Sequence, residues 1–337
     1  MGGLRPPKLP YFPFNYVNPK IESGVNLKPM KRILDANASD FAAMTAPELV
    51  ESIRLSEGRT VAAEVIAIAP PLLDKVSNVE LAAGMGADLI LLNLYDVTAP
   101  QVFGIPTQNA SAGINLFGRI HSGQGATMSI VKSFIGRPVG LNLEPIENPE
   151  SASSGRLANA ENARLALEQG ADFILVTGNP HTGVTARGIR RALAEIRAAV
   201  GDRVVLLAGK MHGAGASGST VSEADILAYA DEGADGIVLP APATVPGITV
   251  DIGHRLAENA HERGLLVMNT VGTSQEGASR STIEQLALWS KMTGADIHHI
   301  GDAGTIGIAV PENIYTWSLA LRGRRHTWHR IAASMKR

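Results

Sequence analysis

The chain has 337 residues, 45% of them hydrophobic, and a formal net charge of -2, which suits one large domain and gives no reason to expect nucleic acid or a membrane surface as partner. It has no cysteine, so neither a disulfide framework nor a thiolate site is available. No uninterrupted apolar run approaches the roughly 20 residues of a membrane span, and the N-terminus lacks the apolar core of a signal peptide, so a cytoplasmic protein is expected.

Residues 1–30 are rich in proline and aromatics (Pro6, Pro7, Pro10, Tyr11, Phe12, Pro13, Phe14, Tyr16) and carry no period. They are expected to form an extended N-terminal arm whose aromatics contact a neighbouring subunit of a homo-oligomer. Residues 31–337 form a single domain. Thr45-Ala46-Pro47-Glu48 opens a helix as a capping box, and that helix ends near Gly58.

Apolar runs then alternate with amphipathic stretches. The first run is Thr60 to Ile68, and the second ends Leu92-Asn93-Leu94-Tyr95-Asp96. Between Asp96 and a helix near Ala126 lies the longest insertion, read as a lid or an assembly contact. The third run is Val139 to Glu144, the fourth ends Thr177-Gly178-Asn179-Pro180-His181, and the fifth is Val204 to Lys210, before a glycine-serine segment from Gly213 to Gly218. The sixth ends Pro240-Ala241-Pro242 and the seventh Asn269-Thr270. Ser281-Thr282-Ile283-Glu284 reads as a second capping box. Pro311 opens the last helix, whose basic end (Arg322, Arg324, Arg325, His326, His329, Arg330) reads as cations near a helix C-terminus rather than a nucleic-acid patch.

Gly-Ala-Asp recurs at Gly86, Gly170, Gly233 and Gly294, each time after a helix-like stretch and before an apolar run. Glycine suits the left-handed residue that ends a helix. The spacing is about two strand-plus-helix units, so the repeat marks every second strand, and four more begin at Gly58-Arg59-Thr60-Val61, Gly136-Arg137-Pro138-Val139, Gly201-Asp202-Arg203-Val204 and Arg263-Gly264-Leu265-Leu266. Eight continuous apolar runs separated by helices describe a (β/α)8 TIM barrel with an N-terminal extension and an extra helix. The helix opened by Thr45 is the extra one, and it is expected to plug the floor of the barrel.

Barrel chemistry sits at the C-terminal strand ends. Alternation turns Asn93, Thr177 and Gly301 inward with His299 one layer below, and turns His298 toward the helices. Glu64, Glu144 and Lys210 interrupt apolar strands, and a charge there is costly unless paired. They are expected to meet across the mouth as an ion-paired cluster, with Asn142 on the face of Glu144 and His212 just beyond Lys210 completing the catalytic candidates. Lys210 would act as Schiff-base amine or proton carrier. Asn179 and Asn269 stand at strand ends as binding candidates.

The glycine turns Gly272-Thr273-Ser274-Gln275-Glu276-Gly277 and Gly301-Asp302-Ala303-Gly304 are expected to lie side by side and hold a substrate phosphate through backbone amides. Gly272, Thr273, Ser274, Gly301, Asp302 and Gly304 are the candidates there. Asp96, Glu144 and Asp302 offer oxygens for Mg2+, but no spaced ligand motif marks them and no metal ligand is assigned.

With Leu207-Ala208-Gly209-Lys210-Met211-His212, Pro240-Ala241-Pro242-Ala243-Thr244-Val245-Pro246-Gly247 and the two late turns placed, the chain resembles, over residues 31 to 337, a bacterial barrel family variously labelled phosphoenolpyruvate phosphonomutase-like or haloacid dehalogenase-like. The second label fails on the residues, because Asp35-Ala36-Asn37 lacks the second aspartate of Asp-x-Asp. The first implies carboxylate-bound Mg2+ and a gating loop with a cysteine or equivalent, and this chain has no cysteine. The late turns are also similar to those of indole-glycerol-phosphate synthase and the phosphosugar epimerases and aldolases. The expectation is an isomerase or lyase acting on a small, phosphorylated carbonyl compound. A Mg2+-dependent carbon-carbon or carbon-phosphorus lyase, with metal at Glu144 and Asp96, and a non-catalytic barrel whose mouth is fully ion-paired are the alternatives.

Overall fold

The computed structural model describes residues 30–107, 112–115, 118–147, 153–179, 182–210, 222–272 and 274–337. The expected N-terminal arm, the glycine-serine segment, His212 and Thr273 therefore lie outside the described residues.

Eight parallel strands close into a barrel: β1 (Thr60–Ile66), β2 (Leu89–Asn93), β5 (Val139–Leu143), β6 (Phe173–Val176), β7 (Val205–Gly209), β8 (Gly236–Pro240), β9 (Leu266–Val271) and β10 (Ile297–Ile300), in the order β1-β10-β9-β8-β7-β6-β5-β2. β3 (Ala112–Asn115) and β4 (Gly118–His121) form an antiparallel hairpin in the long insertion after β2. The barrel helices are α3 (Asn78–Gly84), α4 (Met128–Ile135), α5 (Ala160–Glu168), α6 (Ala186–Val200), α7 (Glu223–Asp231), α8 (Val250–His261), α9 (Arg280–Met292) and α10 (Pro311–Ala332). They follow α1 (Ala38–Ala43) and α2 (Ala46–Arg54). No described helix is long and apolar enough to cross a membrane.

Two cores follow from strand alternation. Ala62, Leu89, Leu91, Phe173, Leu175, Val205, Leu207, Val238, Leu266, Met268 and Ile297 fill the barrel interior, and Ile33, Phe41, Leu49 and Ile53 close its floor, as expected of the helix opened by Thr45. The opposite strand faces pack against the helices. Ser279, not Ser281, caps α9: its hydroxyl accepts the Thr282 amide, which leaves Ser281 inside the first turn.

The repeated aspartate has one job, performed four times. Asp88, Asp172, Asp235 and Asp296 each send their backbone N–H to the opening of the preceding strand, at Val61, Val139, Leu206 and Val267. The carboxylate of each accepts the N–H of that same residue, at 2.8 or 2.9 Å. The glycine two residues earlier is left-handed each time, at φ +106°, +92°, +85° and +88°. Each carboxylate also meets a basic side chain: Arg322 and Arg330 at Asp88, Lys132 at Asp172, Arg197 at Asp235 and His261 at Asp296. The repeat is thus a clasp at the floor of the barrel, and two arginines of the basic C-terminal helix are buried parts of it.

Candidate active site at the barrel mouth

β1 and β10 are neighbours with Ala62 opposite His299. Glu64, two residues closer to the mouth, therefore rises beside the imidazole. Glu64 Oε2 lies 3.3 Å from His299 Nε2, and Glu64 Oε1 accepts a 2.7 Å hydrogen bond from Asn142 Nδ2 of β5. The His299 contact is close enough for an ion pair but not aligned for a hydrogen bond, so both ring nitrogens of this fully buried histidine lack a hydrogen-bond partner. His298 behaves oppositely, as alternation requires: it faces α9, with Nδ1 2.7 Å from Ser290 Oγ and Nε2 3.0 Å from the Gly58 carbonyl. Burial pushes His298 down to about 4, so it is a neutral structural residue that donates to Gly58.

Two further carboxyls complete this wall. Asp302 follows β10; its Oδ2 accepts 2.8 Å from Asn93 Nδ2 and its Oδ1 accepts 2.8 Å from the Gly304 amide. Glu276 lies in the turn after β9, is buried, and its Oε2 has no hydrogen-bond partner among the described residues. Gly301 packs directly against it: a Cβ at Gly301 would collide with Glu276 Oε1 and the Val271 carbonyl. Burial, reinforced by Asp302 and Glu64, raises the Glu276 carboxyl to about 7. Burial and the charge of Glu64 raise Asp302 to about 6, against the opposing hydrogen bonds from Asn93 and Gly304. Carboxyls of this kind hold and release protons near neutrality.

The adjoining wall, from β2, β5 and β6, is polar. The Asn93 and Asn179 side-chain amides exchange two hydrogen bonds of 3.2 Å, and Thr177 is buried with an unpartnered hydroxyl. Residues 156–158 lie beside the end of β5 in a parallel bridge, with Glu144 N–H donating to the Arg156 carbonyl and Ala158 N–H to the Glu144 carbonyl. That pairing carries the Arg156 guanidinium onto Glu144 Oε1, while the Asn179 amide donates to Oε2 at 3.0 Å.

The expected ion-paired trio of Glu64, Glu144 and Lys210 does not form. Glu64 is taken by Asn142 and His299, Glu144 by Arg156, and Lys210, half-buried, has no ion pair among the described residues. Arg156 takes the place expected of the lysine because residues 156–158 pair with the end of β5 and bring its guanidinium onto Glu144. Asn269 is a second correction. It lies on the outer face of β9, donating 2.8 Å to Thr293 Oγ1, so it cannot line the mouth; Thr270 takes the inner parity.

The anion-binding reading of the late turns also changes. The turns do lie side by side, since β9 pairs with β10. The Gly304 amide, however, is spent on Asp302, and Glu276 lies buried beside Gly301, so a phosphate placed there would meet two carboxyls. The proposed Mg2+ trio does not converge either. Asp96 is occupied by the Thr98 amide and hydroxyl, the Ala99 amide and Ser153, and no group of three acidic or histidine side chains among the described residues is arranged to hold a metal ion. Asp35 pairs with Arg32 at 2.7 Å on the surface, far in character from a dehalogenase nucleophile.

Glu276 and Arg156 are site residues that sequence reasoning does not find. A glutamate in a glycine turn reads as exposed, and only its burial beneath the Asn313 side chain, which donates to the Glu276 carbonyl, brings it into play. The backbone carries one signal: Leu94, Ala243, Ser274 and Ala303 all take positive φ in loops directly after barrel strands. Such conformations in residues other than glycine are costly and gather at functional sites.

Residues 34–337 match a family profile described as "Domain of unknown function (DUF7916)". No curated protein matches the chain. Among solved structures, a candidate lyase/mutase from Burkholderia cenocepacia J2315 is similar at 19% identity and a TM-score of 0.43, covering 79% of this chain and 84% of that one. A 2,3-dimethylmalate lyase of the PEP mutase/isocitrate lyase superfamily is similar at 13% and 0.45, covering 77% and 82%. Thiamine phosphate pyrophosphorylase from Pyrococcus furiosus is similar at 11% and 0.42, covering 79% and 97%. At these values nothing about the chemistry of this chain follows from the likeness.

Proposed function

The chain belongs to the DUF7916 family, whose description names no activity, and from its mouth geometry we propose that it is an enzyme of lyase or isomerase type that moves a proton on a small carbonyl compound. The observation that carries this reading is the wall of Glu64, Glu276, Asp302 and His299. It combines three carboxyls with an imidazole that has Glu64 beside Nε2 and no hydrogen bond at either nitrogen among the described residues, in a buried setting that leaves two of the carboxyls titrating near neutrality. General acid-base catalysis needs groups of that kind, aimed at a place where a substrate atom can sit.

A non-catalytic barrel would have its mouth fully paired. Among the described residues, Asn142 Oδ1, Thr177 Oγ1, Glu276 Oε2 and both nitrogens of His299 are buried without hydrogen bonds, and buried polar atoms rarely stay so unless something else pairs with them. In the proposed arrangement His299 and Glu276 exchange the proton, Glu64 fixes the imidazole, and Asn93, Thr177, Asn142 and Asn179 bind the carbonyl or hydroxyl oxygens. A phosphate on the substrate would be held by Arg156, beside the end of β5, rather than by the turns that carry Asp302 and Glu276. Lys210 stays in the proposal as the amine for a Schiff base at the rim, because it is half-buried and has no ion pair among the described residues.

The test does not require the substrate in advance. The protein is incubated in D2O with 2-oxo acids, hydroxy-dicarboxylates and phosphorylated ketoses, and exchange of the hydrogen next to the carbonyl is followed by proton NMR. Exchange on one class, abolished in His299→Gln, is the expected result; exchange that persists unchanged in His299→Gln and Glu276→Gln would remove this wall from the chemistry.

A further inference from the structure

At the other end of the barrel three buried guanidiniums, those of Arg137, Arg322 and Arg330, gather around one buried carboxylate, Asp88. Asp88 pairs with Arg322 and Arg330. Among the described residues Arg137 receives no carboxylate: its Nη1 and Nη2 donate to the Gly136 and Arg330 carbonyls, at 3.1 and 2.7 Å, and its Nε has no hydrogen-bond partner there. Burial first, then repulsion by Arg330 and Arg322, draws Arg137 down to about 10. A buried donor left unpaired is costly, and an excess of like charge among buried groups is more so unless an anion enters.

A cavity of about 310 Å3 adjoins this cluster. Arg137 lines it, together with the Lys132–Asp172 ion pair and apolar walls from Phe41, Ala42 and Pro138. A smaller cavity, about 70 Å3, shares Phe41, Pro138 and Asp172 with it and extends it toward α2. The size is at the lower end of small-molecule sites, roughly 300–1,000 Å3.

We infer that this floor cavity is a second ligand site, for a small organic anion whose carboxylate or phosphate oxygens meet Arg137 while a short apolar body lies against Phe41 and Pro138. The anion supplies the negative charge that the arginine cluster lacks, beside the Arg137 side chain that lines the cavity. Guanidinium binds such oxyanions in a planar, forked geometry. Catalysis belongs to the opposite end of a barrel, so the occupant is an effector or structural ligand and not the substrate. Arg137 leads directly into β5, whose far end carries Asn142 and Glu144, so a ligand here bears on the strand that builds one side of the mouth.

The experiment is isothermal titration of the full chain with phenyl phosphate, benzoate and, as the neutral probe, benzyl alcohol. The two anions are expected to bind at one site per chain, at least about tenfold tighter than benzyl alcohol. Arg137→Met and Ala42→Trp should each weaken phenyl phosphate by at least about tenfold, the first by removing the guanidinium and the second by filling the cavity from an exposed position. Glu276→Gln, at the mouth, should leave that affinity unchanged. Equal binding of all three probes, no binding of either anion at millimolar concentration, an unweakened Ala42→Trp protein, or loss of binding in Glu276→Gln would each overturn the assignment. Ala42→Trp decides the matter should Arg137→Met fail to fold.

Discussion

His299 Nε2 and Glu64 Oε2 stand 3.3 Å apart where neither side chain is more than 5% exposed, and the imidazole forms no hydrogen bond at either nitrogen. A buried histidine ordinarily fixes its tautomer through a partner on its second nitrogen, as His298 does with Gly58 and Ser290. His299 has the Glu64 carboxylate beside Nε2 and, among the described residues, no hydrogen bond at Nδ1. Replacing Glu64 by Gln should keep the Asn142 contact and the fold but remove the charge that steadies the imidazole. Proton exchange on the substrate is expected to fall by roughly 10²-fold or more, with an unchanged circular dichroism spectrum. Full activity in Glu64→Gln would show that the contact is only structural.

Glu276 makes stability depend on pH. Its folded carboxyl is raised to about 7, above the ordinary value of 4.5, so between those values the native state holds a proton that the unfolded chain has lost. Stability therefore declines as pH rises through that window, and the full cost is present above pH 7. Glu276→Gln has no such proton. In urea denaturation the variant should gain on the parent as pH is raised from 5 to 8, by up to about 3 kcal/mol. A difference between the two proteins that is the same at both pH values would rule this out.

The Asp88 clasp is the place where a single isosteric change should damage the fold most. Asp88→Asn leaves Arg322 and Arg330 buried without a counter-charge, and breaking a buried pair in this way costs about 3–5 kcal/mol. Asp235→Asn, whose partner Arg197 is partly exposed, should cost clearly less. Thermal unfolding of the two variants side by side tests the ranking; equal losses would mean that the backbone clasp, and not the charge, carries the effect.

Lys210 is tested by chemistry. Borohydride added to a mixture of protein and a reactive 2-oxo acid or aldehyde is expected to leave a permanent mass increase on the peptide that contains Lys210, and Lys210→Met should abolish proton exchange without loss of folding. A Lys210→Met protein as active as its parent would remove the lysine while leaving the carboxyl wall intact.

The fold is legible because each barrel strand is covered on both faces and reads as an unbroken apolar run, and because Gly-Ala-Asp marks every second one. The reason for the aspartate is not legible, since its partner is a backbone amide on a strand some thirty residues earlier, such as Val61 for Asp88. At the site, alternation within a strand places Asn93, Thr177, His298 and His299 correctly. Read as a strand-end residue, Asn269 instead lies within β9, which continues to Val271, and alternation turns it outward. Alternation cannot place residues outside the strands: Arg156 is brought to Glu144 by the pairing of residues 156–158 with the end of β5, and Glu276 is buried by packing of its turn against Gly301 and Asn313.

The most direct test of the acid-base wall is a titration of the 13C-labelled side-chain carboxyls by NMR, comparing the parent with Glu276→Gln and Asp302→Asn. One carboxyl is expected to titrate at about 7 and to disappear in Glu276→Gln, and one at about 6 that disappears in Asp302→Asn. Titration of both residues in the ordinary carboxylate range would contradict the assignment of this wall to proton transfer.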